Sequence, residues 1–394
     1  MERLQQAASV SDADRRTIVT IVNSLSPTSM PLNEFVAWRA RHLPEERHIV
    51  LSLAPARSTD SSIDLPAGVE IVTGGGDVQS FRRNVRATLR RVVENSERPI
   101  VHVHHPRSGA LFQTARFGTG NRIPVLFTIH NMFSRYGPAT RLLSAFNCMR
   151  SDHISLVSHA AFDAFPAPLR RLRPGAFQAI PNGVDLERVD ATLAKVEAAR
   201  RARASDRAVD RPRFELINVG KFTQQKGHDF LLDVVRRLPE LGLTLVGDGP
   251  ERARIEERVE EEGLGDRVRF TGLVPRETVY AELLAADLFV SPALWEGLPI
   301  AVLEAMALGR PVLLSDIQPH LEIQREGPDL PLLPFDLAAW TEAIERFAVR
   351  SAESLRAEGQ TNRRTVEGAF TLARMHEVYT EVYDMLIQRG SRLR

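Results

Sequence analysis

Short apolar, β-branched runs alternate with longer segments of helical period along the whole chain. In the first half the runs are TIVTIVNSL from Thr17, HIVLSLA from His48, VEIVTGG from Val69, PIVHVHH from Pro99, IPVLFTIH from Ile123, HISLVSHA from His153 and FQAIPNG from Phe177. Continuous apolar runs of this length suit strands covered on both faces, and therefore parallel sheets flanked by helices. Between two of them, Ser80 to Glu97 sets Phe81, Val85, Leu89 and Val92–Val93 on one helical stripe. The second half repeats this order with FELINVGKF from Phe214, LTLVGDG from Leu243, VRFTGLV from Val268, DLFVSPA from Asp287 and PVLLSDI from Pro311. HDFLLDVVRRL, ERARIEERVEEEGL and RETVYAELLAA supply the intervening helices. The pattern predicts an α/β protein of two Rossmann-like, doubly wound domains facing a cleft. The expected divisions are 1–190, a polar helix and exposed loop over 191–213, a second domain over 214–370, and a long amphipathic helix over 371–394.

Composition narrows this picture. The 394 residues suffice for two cores, and 43% apolar with 26% charged residues excludes a mostly disordered chain. A single cysteine, Cys148, excludes an intramolecular disulfide framework and a cysteine-based zinc site, and fits a reducing, cytoplasmic setting. The opening MERLQQAASVSDADRR lacks the apolar core of a signal peptide, and no apolar run approaches the ~18 residues of a spanning helix. A net charge of +1 argues against nucleic-acid binding. The charge is uneven, however: about six positive over residues 1–190 and about five negative over the rest. Arg82, Arg83, Arg86, Arg90 and Arg91 on one predicted helix read either as a solvated face or as peripheral contact with the inner face of a membrane. Nearly every base is Arg. The lysines are Lys195, Lys221 and Lys226, two of them close together.

The segment WEGLPIAVLEAMALGRPVLLSDI, Trp295 to Ile317, carries the most chemistry. A strand ends at a loop holding Glu296, Gly297 and Leu298, and Pro299 stands where a helix begins, a position that tolerates its missing N–H. Amides around Gly297–Ala301 would then point out of the helix N-terminus toward a phosphate or a sugar hydroxyl. Glu296 before the helix and Glu304 inside it can face one ligand, or simply favour the helix N-terminus. VGKFTQQKG puts Lys221 at a strand end and Lys226 at the next helix start. His102 and His104 in VHVHH share a strand face, but no carboxylate completes a metal site with them or with His105. Asp12–Asp14 precede the first strand and lack the sheet context of a metal–diphosphate motif, while Thr73–Gly76 (TGGG) reads as a plain turn.

Over nearly its whole length the chain resembles the family 4 retaining glycosyltransferases, enzymes of the two-domain GT-B architecture. The matching stretches include VHVHHPRSGAL, IPVLFTIHN, SLVSHAA, IPNGVDLERV, NVGKFTQQKGHDFLLDVV, LVGDGPERARIEE and the Val268–Ile317 segment, densest in the C-terminal half. The resemblance implies a nucleoside diphosphate sugar, UDP favoured, as donor and a hydroxyl acceptor in glycan, glycolipid or metabolite glycosylation, the acceptor being free or lipid-linked. It implies no metal or other cofactor, and a last helix that packs back toward the N-terminal domain. Carried onto this chain, Glu304 would hold the donor ribose and Glu296 the transferred sugar. Gly220, Lys221 and Lys226 would meet the diphosphate, with Lys221 standing where the family usually has Arg. Gly247, Asp248, Gly272 and Leu273 would lie near the base, and Gly297 and Leu298 beside the donor. His130 at a strand end would contact the donor sugar, so that Glu296, His130 and Lys226 carry the reaction. The family's Gly-rich turn after the first strand is here NSLSPTSMPLNEF, Asn23 to Phe35, where Ser26, Thr28 and Ser29 would serve instead or shape the acceptor pocket. That departure keeps open a nucleotide-sugar-binding pseudo-enzyme, and a sugar-nucleotide epimerase shares the architecture.

Overall fold

The computed structural model describes residues 15–25, 30–55, 65–117, 123–202, 214–327 and 329–391. Asp12–Asp14 and the loop residues Ser26, Thr28 and Ser29 lie outside them. The chain divides into two units, Met1–Pro181 with Met375–Arg394, and Asn182–Arg374.

The first unit holds seven parallel strands: β1 (Arg16–Val22), β2 (Glu46–Ser52), β3 (Glu70–Thr73), β4 (Arg98–Val103), β5 (Val125–Ile129), β6 (His153–Leu156) and β7 (Phe177–Ala179). Their order is β3-β2-β1-β4-β5-β6-β7. Side chains alternate across the sheet. Val19, Ile21, Val101, Val103, Phe127 and Ile129 join Phe81 and Phe112 in an apolar core. The intervening positions are partly polar, which the apolar reading of these strands did not anticipate. His102, Thr128 and Ser155 face Tyr379 and Tyr383 of the final helix, Leu372–Ser391. The same helix is tied down by buried charge. Arg39 bonds Glu46 and the His376 carbonyl, and Arg16 spans Glu46 and Asp384. The helix Val78–Asn95 buries Phe81, Val85, Leu89 and Val92, and its start is capped by Asp77, which accepts from the Ser80 N–H at 2.6 Å. TGGG is the turn that feeds it: the Gly76 N–H donates to the Leu53 carbonyl.

The second unit has six parallel strands: β8 (Phe214–Val219), β9 (Leu241–Val246), β10 (Val268–Gly272), β11 (Leu288–Ser291), β12 (Val312–Ser315) and β13 (Leu332–Leu333). Their order, β10-β9-β8-β11-β12-β13, is the 3-2-1-4-5-6 winding of dinucleotide-binding folds. Both faces are apolar here. Ile217, Phe289 and Leu314 pack in one core, and Leu216, Leu288 and Leu313, one residue earlier on each strand, pack in another. The unit begins before residue 190 because Val184 and Val189, the latter on the helix Leu186–Ala202, pack with Ile217 and Phe289. β13 was not foreseen. Two residues between Pro331 and Pro334 are too short to show a period.

Candidate functional site

In a doubly wound sheet the ligand crevice lies beyond the carboxyl ends of the strands where the winding reverses, here between β8 and β11. The β8 tip is fastened to β9 by the Gly220 N–H, which donates to the Val246 carbonyl at 2.9 Å. Glycine is needed on both sides of this contact. A Cβ on Gly247, whose φ is +131°, would stand 2.0 Å from the Gly220 oxygen, and one on Gly220 would stand 2.8 Å from Lys226 Cε. The chain then makes a single tight turn, Gln224–Lys226, ending at Gly227 in the left-handed region (φ +68°). A side chain on Gly227 would reach 2.3 Å from the Pro292 carbonyl oxygen in the loop after β11. That loop is sewn to the turn by the Leu294 N–H, donating to the Gln225 carbonyl at 2.8 Å, and by Gln225 Nε2, donating to the Trp295 carbonyl at 2.8 Å.

The turn thereby delivers Lys226 to Glu296. Lys226 Nζ lies 2.6 Å from Glu296 Oε1, and Gln225 Nε2 donates to Oε2 at 3.0 Å. Glu296 is buried, whereas the Lys226 side chain keeps 15% of its exposure. The histidines next to this cation are neutral. Burial pushes His228 and His320 down to about 4, with Lys226 adding to the shift in both. His228 stacks on Phe222, and His320 donates from Nδ1 to the Ser315 carbonyl at 2.7 Å.

Glu304 sits in the helix Ile300–Ala307, buried. Pro299 is the extended residue that caps this helix rather than its first helical residue, and its carbonyl accepts from the Val302 N–H at 3.1 Å. Two residues that the sequence reading passed over hold the Glu304 carboxylate: Tyr280 OH donates to Oε1 at 2.8 Å, and Arg276 Nη1 bonds the same oxygen. They stand four apart on the helix Arg276–Ala285, hence on one face of it. A signal was present, because a cation at the first helical position opposes the helix dipole and calls for a carboxylate partner. Gln225 carried no such mark.

The remaining expected residues are scattered more widely. Lys221 is exposed. Asp248 accepts from the Gly249 N–H and pairs with Arg252 at 3.7 Å. Leu273 follows Gly272 (φ +70°) and is 57% exposed, an unusual position for a leucine without a partner surface. Gly297 is buried. The Leu298 side chain is in the core, and its carbonyl accepts from Asn182 Nδ2 at 3.3 Å. In the first unit, His130 follows β5 as an exposed residue whose Nε2 lies 3.1 Å from His104 Nδ1. His102 and His104 do share a face, their rings 3.8 Å apart. Among the described residues no group of three or more His, Cys, Asp or Glu could hold a metal ion.

Two family models match in tandem. The one described as Glycosyltransferase Family 4 covers residues 35–188, and the one described as Glycosyl transferases group 1 covers residues 201–357. The chain belongs to glycosyltransferase family 4. Among this family member's relatives, EpsF of Bacillus subtilis is 37% identical over 176 residues, 43% of this chain and 44% of that protein. This chain thus spans less than half the length of EpsF at that identity. Of solved structures, sucrose-phosphate synthase from Thermosynechococcus elongatus superposes with a TM-score of 0.76 at 20% identity, over 95% of this chain and 100% of that one. HepE of Anabaena, in complex with UDP-glucose, superposes with a TM-score of 0.73 at 16% identity, over 94% and 100%. At these identities the likeness is one of fold, the GT-B fold of the family.

Proposed function

We propose that this family 4 protein is a retaining glycosyltransferase that moves a sugar from a nucleoside diphosphate sugar, UDP favoured, to a hydroxyl acceptor. The observation that carries the reading is the Lys226–Glu296 pair, which joins the loops of the two strands at the winding reversal. An ammonium and a carboxylate held together are a matched recogniser for the two halves of such a donor. Lys226 turns to the diphosphate oxygens and stabilises the charge that builds as the sugar departs. Glu296 accepts from the sugar hydroxyls. Glu304, steadied by Arg276 and Tyr280, presents a carboxylate to the ribose diol, and Lys221 adds a second cation to the diphosphate. By the family resemblance His130 is the candidate contact to the transferred sugar. The protein contributes position and charge rather than a nucleophile, with the departing diphosphate taking the acceptor proton. UDP as leaving group has the support of HepE, whose structure holds UDP-glucose.

Incubation with UDP-, GDP- and ADP-sugars and a panel of hydroxyl acceptors tests the proposal. Acceptor-dependent release of the nucleoside diphosphate supports it. Isomerised donor would point to an epimerase, and donor binding without turnover to a pseudo-enzyme; either overturns it.

A lipid-linked acceptor and contact with an anionic membrane surface belong to the same reading. No helix among the described residues is long and apolar enough to cross a membrane. The first unit nevertheless exposes Phe117 (77%) and Leu142 (72%), with Met149 and Phe146 on the face of the helix Pro138–Arg150 that carries Leu142. Arg150 stacks on Phe117, and Arg86 of the helix Val78–Asn95 reaches the Ala115 carbonyl nearby at 3.2 Å. Apolar tips among arginines match a lipid surface of negative charge.

A further inference from the structure

The histidines of VHVHH have no role in the donor site as described, yet one of them touches His130. β4 and β5 are neighbours, so the residues just past their ends, His104 and His130, lie side by side with His104 Nδ1 and His130 Nε2 at 3.1 Å. A bond between two neutral imidazoles needs one N–H and one lone pair. The direction follows from the far side of His104. Its ring is buried under Phe35 and beside His102, and its Nε2 is buried without a hydrogen-bond partner. If His130 were the donor, the His104 proton would sit on that Nε2 as a buried N–H with nothing to accept it. If His104 donates from Nδ1, only a lone pair is left over, and buried proteins tolerate stranded acceptors better than stranded N–H groups. Burial and the neighbouring His102 and His130 hold the His104 imidazole well below its ordinary value, so it stays neutral. Burial, together with His130 and Arg39, holds the adjoining His102 well below its ordinary value as well.

We propose that His104 is a positioning residue that donates from Nδ1 to His130 Nε2 and so fixes His130 as the Nδ1–H tautomer. The ring then offers an N–H to whatever it meets, a hydroxyl oxygen of the donor sugar if the glycosyltransferase reading on which this role rests is right. His102 cannot substitute: its own nitrogens are taken by Tyr383 OH at 2.7 Å and Thr128 Oγ1 at 2.6 Å.

The test is 15N NMR of the full chain labelled at histidine, near pH 7.5 and without any nucleotide, with the His130 resonances assigned by difference from H130Q. The wild type is expected to show His130 with a protonated Nδ1 and a bare Nε2. H104N, whose side-chain amide keeps a donor at the δ position, retains that pattern, and H104F, which keeps a flat ring without a donor, loses it. A protonated Nε2 on His130 in the wild type, or an unchanged tautomer in H104F, overturns the proposal. The wild-type spectrum decides even if H104F does not fold. With an active donor and acceptor in hand, H104F is expected to lower kcat by about tenfold with donor KM little changed, and H104N to restore most of it. Absence of transfer in every protein would count against the glycosyltransferase reading and leave the tautomer result standing.

Discussion

Lys226→Met separates what the Lys226–Glu296 pair does for folding from what it does for the donor. At 2.6 Å the Coulomb attraction is about 6 kcal/mol in an effective dielectric of ~20. Desolvating the buried carboxylate and the mostly buried ammonium offsets more than half of this. Lys226→Met leaves Glu296 ionised in a buried site with Gln225 alone, a loss of about 2–3 kcal/mol. Glu296→Gln costs less, about 1 kcal/mol, because the Lys226 side chain at 15% exposure can rehydrate. The double variant buries no lone charge and is expected within about 1 kcal/mol of wild type, giving a coupling of about 2–3 kcal/mol. Thermal melts read this as a fall of about 5–10 °C in Lys226→Met that is largely recovered in the double variant. Titration calorimetry with UDP and UDP-sugars is then expected to show affinity at least tenfold weaker in Lys226→Met and in the double variant alike, about 1.4 kcal/mol or more. Strictly additive stabilities would refute the pairing. A double variant that binds donor as the wild type does would refute the functional assignment.

Other expectations rest on separate contacts. Gly227→Ala combines a φ of +68° with a Cβ 2.3 Å from the Pro292 oxygen, so it is expected to cost about 2 kcal/mol or more and to weaken donor binding by shifting Lys226, read by melting and calorimetry. Tyr280→Phe removes one bond to Glu304 and is expected to cost about 1 kcal/mol, while Arg276→Met, which leaves the buried carboxylate without its cation, is expected to cost several times more. His228 and His320 titrate near 4 in the fold and 6.5 unfolded, so the unfolded chain takes up more protons between those values. The contribution of these two histidines to stability is therefore constant above pH 6.5 and is lost as the pH drops toward 4, by up to about 3 kcal/mol for each. Melts at pH 5 and 7.5 are expected to show the loss, and His320→Gln to reduce it. Sedimentation with vesicles containing phosphatidylglycerol, but not with pure phosphatidylcholine, is expected for the wild type and is expected to be lost in a Leu142→Ser/Phe146→Ser/Met149→Ser variant.

The long strands of both units were legible because they are buried against a core large enough to demand an apolar run, as β1 and β9 show with every residue buried, whereas the two-residue, partly buried β13 was not. Legibility failed where the partner of a residue comes from elsewhere in the fold. His102, Thr128 and Ser155 interrupt apolar strands because Tyr379 and Tyr383, over 200 residues later, meet them with hydroxyls, and no local pattern announces that pairing. The candidate site divides in the same way. Glu296, Glu304 and Lys226 stand in recognisable motifs, and Lys226 and Glu296 pair with each other, but the contacts made by Arg276 and Gln225 belong to no such motif. Arg276 is 28 residues from Glu304, and Gln225 is an unremarkable polar residue in a turn whose geometry is imposed by Gly227 against Pro292. The one local trace was a conflict. Arg276 opens its helix where a carboxylate would be favoured, and a residue set against its local preference is where a tertiary demand should be sought. Searching the sequence for such conflicts, rather than for further motif matches, would have found the group that holds Glu304 in place.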